Sequence, residues 1–271
     1  MEIPAERWYK AIGVRRSRRQ YTNAPVESII VKKIEDVCNQ FTPFSSARSV
    51  FINHSANRVF KSIFGSYGKV KGATSFIAFI GDMNDPYIQE KVGYTGEAIM
   101  LEMTALGLAT CWIGGFFRPE VTAKLIGLKS SEKILAVTPV GYAVKTLTWE
   151  ERVMSGYGRA YQRKSLCEIV TNYNVIKDDS WTKLALDAAR IAPSAINRQP
   201  WRFTVEFNRI TISVNKPGIE FNRFDYGISK RLDCGIAMLH VEVAALFQNI
   251  TGQWKFLQSP DVATFIVVPG E

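Results

Sequence analysis

The sequence predicts an α+β fold made of two similar halves, on three observations. Segments of helical and strand periodicity alternate along the chain, their order restarts near residue 180, and the two longest helical stretches align with each other at one fixed offset. With 271 residues, 46% of them hydrophobic, the chain can bury roughly three quarters of its unfolded surface without a disulfide or metal staple.

The elements follow in order. A short apolar helix precedes Arg15. A helix spans Pro25 to Phe41, where Val26, Ile30, Ile34, Val37 and Phe41 recur at helical spacing behind a proline start. Ser49–Ile52 and Thr74–Ile80 read as strands, the second bounded by Gly72 and Gly81. A long helix runs from Tyr87 to Leu106 and stops at Gly107. Ile134–Tyr142 reads as a strand in which Pro139 marks an edge or irregular position. The second half offers a helix over Trp181–Ile191, strands over Arg202–Phe207 and Ile210–Val214, a long helix over Lys230–Asn249 and a strand over Thr264–Val268.

Gly93 lies nineteen residues before Trp112, and Gly235 nineteen before Trp254, with Ile99 over Val241, Leu101 over Val243 and Met103 over Ala245 at the same offset. Thr42-Pro43 and Ala192-Pro193 each close a helix before a strand. A repeat this long, present only twice, implies two copies of one unit packed together rather than a solenoid. The expected organisation is a first half over 1–145, a crossover connection over 146–179 and a second half over 180–271.

Composition excludes several classes. Apolar runs such as Phe76–Ile80 are far shorter than the roughly 20 residues a bilayer-spanning helix needs. The N-terminus carries acidic residues and no apolar signal region, so the expected location is the cytoplasm, with no membrane partner. Cys38, Cys111, Cys167 and Cys234 show no CxxC spacing and sit in apolar contexts, which predicts buried reduced thiols and no structural zinc. The formal charge is +9, concentrated in Arg15–Arg19 and in Arg159–Lys164. Nucleic-acid binding would need aromatics interleaved with these cations on one face, and no such stripe exists, so no nucleic acid is expected.

Two segments carry candidate chemistry. Arg15-Arg16-Ser17-Arg18-Arg19-Gln20-Tyr21 puts four guanidiniums and a hydroxyl within five residues, directly after a helix. Planar forks and a neutral donor suit phosphate oxygens, and a solvated basic turn would look the same. Ala192-Pro-Ser-Ala-Ile-Asn-Arg-Gln-Pro-Trp-Arg-Phe203 holds polar groups between two prolines, which suits presenting Asn197 and Gln199 amides to a heteroaromatic edge or forming a self-satisfied loop.

Together RRSxRxY and PSxxNxQPWxF resemble the two marks of the FMN-dependent nitroreductase family. Leu108-Ala-Thr-Cys-Trp-Ile-Gly-Gly-Phe resembles that family's GLGTCWIGG turn, and Gly141-Tyr142 with Arg163-Lys164-Ser165-Leu166 resembles its closing strand and basic tail. The resemblance spans nearly the whole chain, and it implies the nitroreductase-like fold. In ordinary members one short subunit carries every motif and two subunits build two flavin sites across their interface. Here the first half has the arginine segment, but Ala47 and Ser49 stand where Asn197 and Gln199 sit in the second. The second half has the Asn/Gln loop, but Lys177-Asp-Asp-Ser-Trp-Thr-Lys replaces the arginines. The arrangement is similar to the single-chain nitroreductases of the TM1586 type, and it implies an intrachain pseudo-dimer with one intact FMN site, monomeric where its relatives are homodimers.

Residue by residue, the resemblance assigns Arg15, Ser17 and Arg19 to the flavin phosphate and ribityl chain and puts Arg16 beside the flavin. Arg163 and Lys164 become further phosphate cations. Pro193, Ser194 and Asn197 belong to the loop laid against the isoalloxazine, and Gly114 and Gly115 to the turn whose N–H faces flavin N5. Lys69 falls where the family carries a cation near N1 and O2. Tyr67, Phe116, Phe117 and Tyr157 are candidates for the substrate face. The implied reaction is hydride transfer from NAD(P)H through FMN to a small-molecule acceptor such as a nitroaromatic or quinone, with no catalytic side chain. His240 is read as a satisfied helix residue. A non-catalytic FMN storage or sensing protein on the same scaffold is the alternative.

Overall fold

In the computed structural model, residues 1–60, 70–146, 151, 162–176, 180–215 and 227–268 are described. Lys69, Tyr67, Tyr157 and, of the 146–179 connection, residues 147–150, 152–161 and 177–179 lie outside them.

Two long helices form the centre: α4 (Ile88–Ala105) and α8 (Lys230–Phe247). Both are buried around most of their circumference, which fits sequences that are apolar on every side and not along one stripe. They cross where Gly93 lies against the Leu232 carbonyl and Gly235 against that of Glu90. Beside the crossing, Arg231 on α8 donates to the Glu90 carboxylate at 2.5 Å and to the carbonyls of Leu257 and Asp261 at 3.0 and 2.9 Å, so the buried acid on α4 is paired.

A sheet flanks each helix. The first is antiparallel, in the order β1 (Ala47–Ile52), β2 (Ser75–Asp82), β3 (Glu132–Val140). Along β2, Ile77 and Phe79 point into the main core, while Phe76, Ala78 and Ile80 join a smaller cluster with Val59, Phe60, Cys111 and Ile113. Strand alternation sends successive side chains to opposite faces, and both faces are covered. On the outer side of β3, residues 109–113 make single bridges, Ala109 with Gly141 and Ile113 with Val137. Pro139 lies between those bridges, and the Thr138 hydroxyl accepts the Cys111 N–H at 3.0 Å. The irregular position expected of this proline is what the strand shows.

The second sheet, β4 (Trp201–Glu206), β5 (Arg209–Val214), β7 (Asp261–Val267) and β6 (Gly252–Phe256), is also antiparallel. With segment 109–113 standing for β6, the two sheets share one order, as the repeat requires. The structure adds elements that the sequence reading left out, among them α5 (Pro119–Ile126) and strand β6.

Five further helices surround this centre. α1 (Ala5–Val14) packs on both α4 and α8, with Tyr9 stacked 4.3 Å from Phe247 and the Trp8 indole donating to Glu102 at 2.8 Å. α2 (Ser28–Gln40) covers β1, and α3 (Ala56–Val59) lies near α5. In the second half the short α6 (Leu166–Ile169) precedes α7 (Trp181–Arg190), which lies along α8. Among the described residues no helix is long and apolar enough to cross a membrane, and no cluster of His, Cys, Asp and Glu could hold a metal. Cys38, Cys111 and Cys234 are buried, but Cys167 is exposed, contrary to the expectation, because the first turn of α6 faces outward.

Candidate functional site

The chain leaves α1 at Arg15 in an extended conformation, after the Arg15 N–H has closed the last turn on the Ala11 carbonyl. It then runs as an extended strip. Ser17 bridges to Thr110, the Arg18 N–H donates to the Thr110 carbonyl at 2.9 Å, and Gln20 and Tyr21 bridge to Lys71 and Ala143. Glu151 fixes this strip by accepting the backbone N–H of Arg19 at 2.8 Å and the side chain of Arg18 at 3.2 Å. Arg18 is thereby used internally. Ser17 and Arg16 are exposed, and Arg16 folds back on the carbonyls of Gly13 and Arg15 at 3.0 and 2.8 Å. Arg15 turns inward. It is only 6% exposed, and its Nη1 is buried without a hydrogen-bond partner.

The Asn/Gln loop follows α7 and is strained. Ile196, Asn197 and Gln199 have φ of 48°, 57° and 47°, in the left-handed region that a β-branched residue avoids. Specific bonds hold it there. The Asp233 carboxylate accepts the Ala195 N–H at 3.1 Å and Arg198 Nε at 2.6 Å, and the Ser194 hydroxyl accepts the Gln199 N–H at 3.0 Å. The segment 162–164 is strapped across the same loop. Asn197 and Gln199 amides donate to the Gln162 carbonyl at 2.9 and 3.2 Å, Gln199 Oε1 accepts the Lys164 N–H at 2.8 Å, and Arg163 donates to the Asn197 side-chain oxygen. Lys164 Nζ donates to the carbonyls of Arg198 and Gln199 at 3.2 and 3.1 Å, so this ammonium staples the loop.

These two segments, far apart in sequence, meet at Arg163. Burial, together with the guanidiniums of Arg15, Arg16 and Arg190, lowers its pKa to about 10. Arg15 and Arg16 come from the end of α1, Arg163 from the strap and Arg190 from the last turn of α7. Carboxylates approach at long range: Glu97 stands 3.6 Å from Arg15 and Asp187 3.5 Å from Arg190. Converging guanidinium forks with a buried N–H left over match what a dianionic phosphate requires, so the residues present fit such a group. Arg190 is the member the sequence reading missed. Its signal was a cation in the last helical turn, two residues before Ala192-Pro193.

Gly114 and Gly115 follow the 109–113 segment and border a cleft of about 640 Å³, together with Phe117, Gln89, Ile228 and Ser229. Ile228 fills the space a Gly114 side chain would take, at 2.7 Å, and its carbonyl accepts Arg198 Nη2 at 3.1 Å, which connects the glycine turn to the strained loop. Phe116 is exposed.

The corresponding loop of the first half, 42–49, is built differently. Phe44, Tyr87 and Phe256 surround the Lys91 ammonium at 5.6, 5.9 and 4.9 Å from their ring centres, and Asp85 accepts from it at 2.6 Å. Lys91 stands two residues before Gly93, as Asp233 stands two before Gly235. The carboxylate that orders the second loop is thus replaced by a caged lysine in the first.

No curated protein matches the chain. In fold it is similar to the crystal structure of a "putative nitroreductase" from Thermotoga maritima, with a TM-score of 0.64 and 18% identity over 97% of this chain and 94% of that one. A nitroreductase family protein from Clostridium difficile matches 64% of this chain and 98% of its own at 20% identity and a TM-score of 0.45. A nitroreductase with bound FMN from Bacteroides fragilis matches 52% and 90% at 16% identity and a TM-score of 0.44. The family model described as "Putative TM nitroreductase" matches residues 7–245, from the middle of α1 to the end of α8, and the chain belongs to that nitroreductase family.

Proposed function

We propose that this chain is an FMN-dependent oxidoreductase that passes hydride from NAD(P)H to a small acceptor such as a nitroaromatic or a quinone. The observation that carries the reading is the convergence of Arg15, Arg16 and Arg190 on Arg163, whose pKa is lowered to about 10 by burial first and by those guanidiniums second. Membership of the nitroreductase family supports it.

Bound FMN supplies the hydride-accepting and hydride-donating centre. The chain's residues bind and orient it. Arg15 and Arg163 hold the phosphate as forked donors, with Arg16 and Arg190 adding charge, and Ser17 and Arg19 lie further along the same strip for the ribityl chain. Pro193, Ser194 and Asn197 form the wall against the ring, kept rigid by Asp233 and by the 162–164 strap. Gly114 and Gly115 allow backbone to approach the ring edge, and Lys69 is assigned the N1 and O2 edge. No side-chain acid or base is required, since hydride transfer depends on stacking donor and acceptor at one ring face.

The reading has one flavin per chain, in a cytoplasmic monomer whose halves, over 1–145 and 180–271 with the 146–179 crossover between them, take the place of two subunits. The caged Lys91 supports a single site, because it occupies the first-half counterpart of Asp233. An anaerobic visible spectrum with added FMN tests the activity. Bleaching by NADH or NADPH and recovery with a quinone is the expected result. Bound flavin that neither nicotinamide reduces would favour storage or sensing, and no binding would end the flavin reading.

A further inference from the structure

Between α4 and α8 lies a buried acid with an unusual set of partners. Glu97 has no exposed surface. Its Oε2 accepts the Trp112 indole N–H at 2.7 Å, while Oε1 lies 3.1 Å from His240 Nε2 and 3.6 Å from Arg15 Nε. The other ring nitrogen of His240, Nδ1, lies 2.8 Å from the Ala188 carbonyl. The Ala188 carbonyl can only accept, so Nδ1 carries a proton and Nε2 is the nitrogen turned to Glu97.

A carboxylate taken wholly out of water persists only when its oxygens are occupied, and here Trp112 and His240 lie within hydrogen-bond reach while Arg15 adds its charge from 3.6 Å. Trp112 comes from the turn leading to Gly114, His240 from the second long helix, and Arg15 from the arginine strip. Arg15 faces Glu97 with its Nε, 3.6 Å away, and its Nη1 is the buried nitrogen with no partner among the described residues. A buried guanidinium N–H is costly to leave unmet, and among the described residues no acceptor meets this one, so it is open to an acceptor from a ligand. The Ala188 carbonyl lies on α7, two residues before Arg190, so His240 also bonds to the helix that delivers a second cation of the cluster.

We propose that Glu97 and His240 are positioning residues for the flavin phosphate, holding Arg15 so that Nη1 is presented to the phosphate oxygen. An anion contact supplied by the first half thereby depends on a helix of the second. The proposal rests on the flavin reading above.

FMN and riboflavin differ only by the phosphate, so the ratio of their Kd values isolates the phosphate contact from ring binding. Flavin fluorescence quenching would be measured for the full-length protein and for Glu97→Gln, Arg15→Ala and the double variant, with thermal melts as folding controls. Glu97→Gln and Arg15→Ala are each expected to lower the preference for FMN over riboflavin about tenfold. The double variant is expected to lose no more than Arg15→Ala alone, because Glu97 acts through Arg15. Equal weakening of both flavins by Glu97→Gln, or additive losses in the double variant, would overturn the proposal. If Glu97→Gln does not fold, Trp112→Phe removes one donor from the same carboxylate, and an unchanged ratio there overturns it equally. A native protein that binds both flavins alike makes no phosphate contact and overturns the proposal, whereas one that binds neither defeats the flavin reading itself, an outcome distinct from failure of the positioning roles.

Discussion

Gly93 and Gly235 each press against the main chain of the opposite long helix, and each meets the carbonyl of the residue three before the other glycine. A Cβ added to Gly93 would stand 2.0 Å from the Leu232 oxygen, and one added to Gly235 would stand 2.0 Å from the Glu90 oxygen. The relationship is reciprocal, as an isologous contact between two copies of one helix would be. Here both copies belong to one chain, and the crossing brings Glu97 on α4 beside His240 on α8.

Alanine at either glycine pushes the two helices apart at backbone, where neither partner can yield by a rotamer change. Both Gly93→Ala and Gly235→Ala should destabilise the protein by about 1–3 kcal/mol in denaturant unfolding, to similar extents. Gly13→Ala, on α1 where a Cβ meets nothing within 4 Å, should instead stabilise by about 0.5 kcal/mol.

Burial of Arg163, added to by the guanidiniums of Arg15, Arg16 and Arg190, destabilises the ligand-free protein. Because the folded state lowers the Arg163 pKa from 12.5 to about 10, the unfolded chain binds this proton more tightly, and the cost is fully present at neutral pH, fading only as pH rises from 10 towards 12.5. A bound anion offsets the part that comes from charge repulsion. Inorganic phosphate at ten times its Kd should raise the melting temperature of flavin-free protein by about 3–5 °C, and Arg163→Gln should abolish the rise. An equal response to sodium chloride at matched ionic strength would count against a phosphate site.

Ile196 holds φ at 48° while 63% of its surface is exposed, so its side chain gains little from packing in return for backbone strain. Ile196→Asn, a residue that tolerates the left-handed region, should stabilise the flavin-free protein by about 1 kcal/mol in thermal or denaturant unfolding.

Acid tests a different element. Arg48 on β1 donates to both oxygens of Glu132 at 2.7 Å, and this holds the Glu132 carboxyl down to about 2. A depressed carboxyl contributes stability above its unfolded value of 4.5 and loses it as pH falls towards 2. Glu132→Gln should cost about 1 kcal/mol at pH 7 and flatten the loss of stability over that window, as urea titrations at several pH values would show.

The long helices, the repeat and both motif segments were legible because each announces itself locally, by periodicity, by glycine spacing or by residues crowded into a few positions. Helix α5 was missed although Pro119 at its first turn is a start signal, since its eight residues give barely two turns of pattern. Strand β6 escapes the sequence reading, because five residues following a long helix are too few for alternation to stand out. The network around Glu97 could not be read at all. A glutamate in an apolar helix carries no mark of a histidine 143 residues away, and only the packing of α4 on α8 makes them partners. Arg190 was passed over for the same reason, as one basic residue at a helix end among many.

The central claim is a single flavin site built by both halves of one chain. Equilibrium titration with FMN, combined with sedimentation, tests it most directly. The account predicts saturation at one FMN per 30.5 kDa particle, lost on Arg163→Ala. Two flavins per chain, or a dimer of twice that mass that loses flavin when it dissociates, would contradict it.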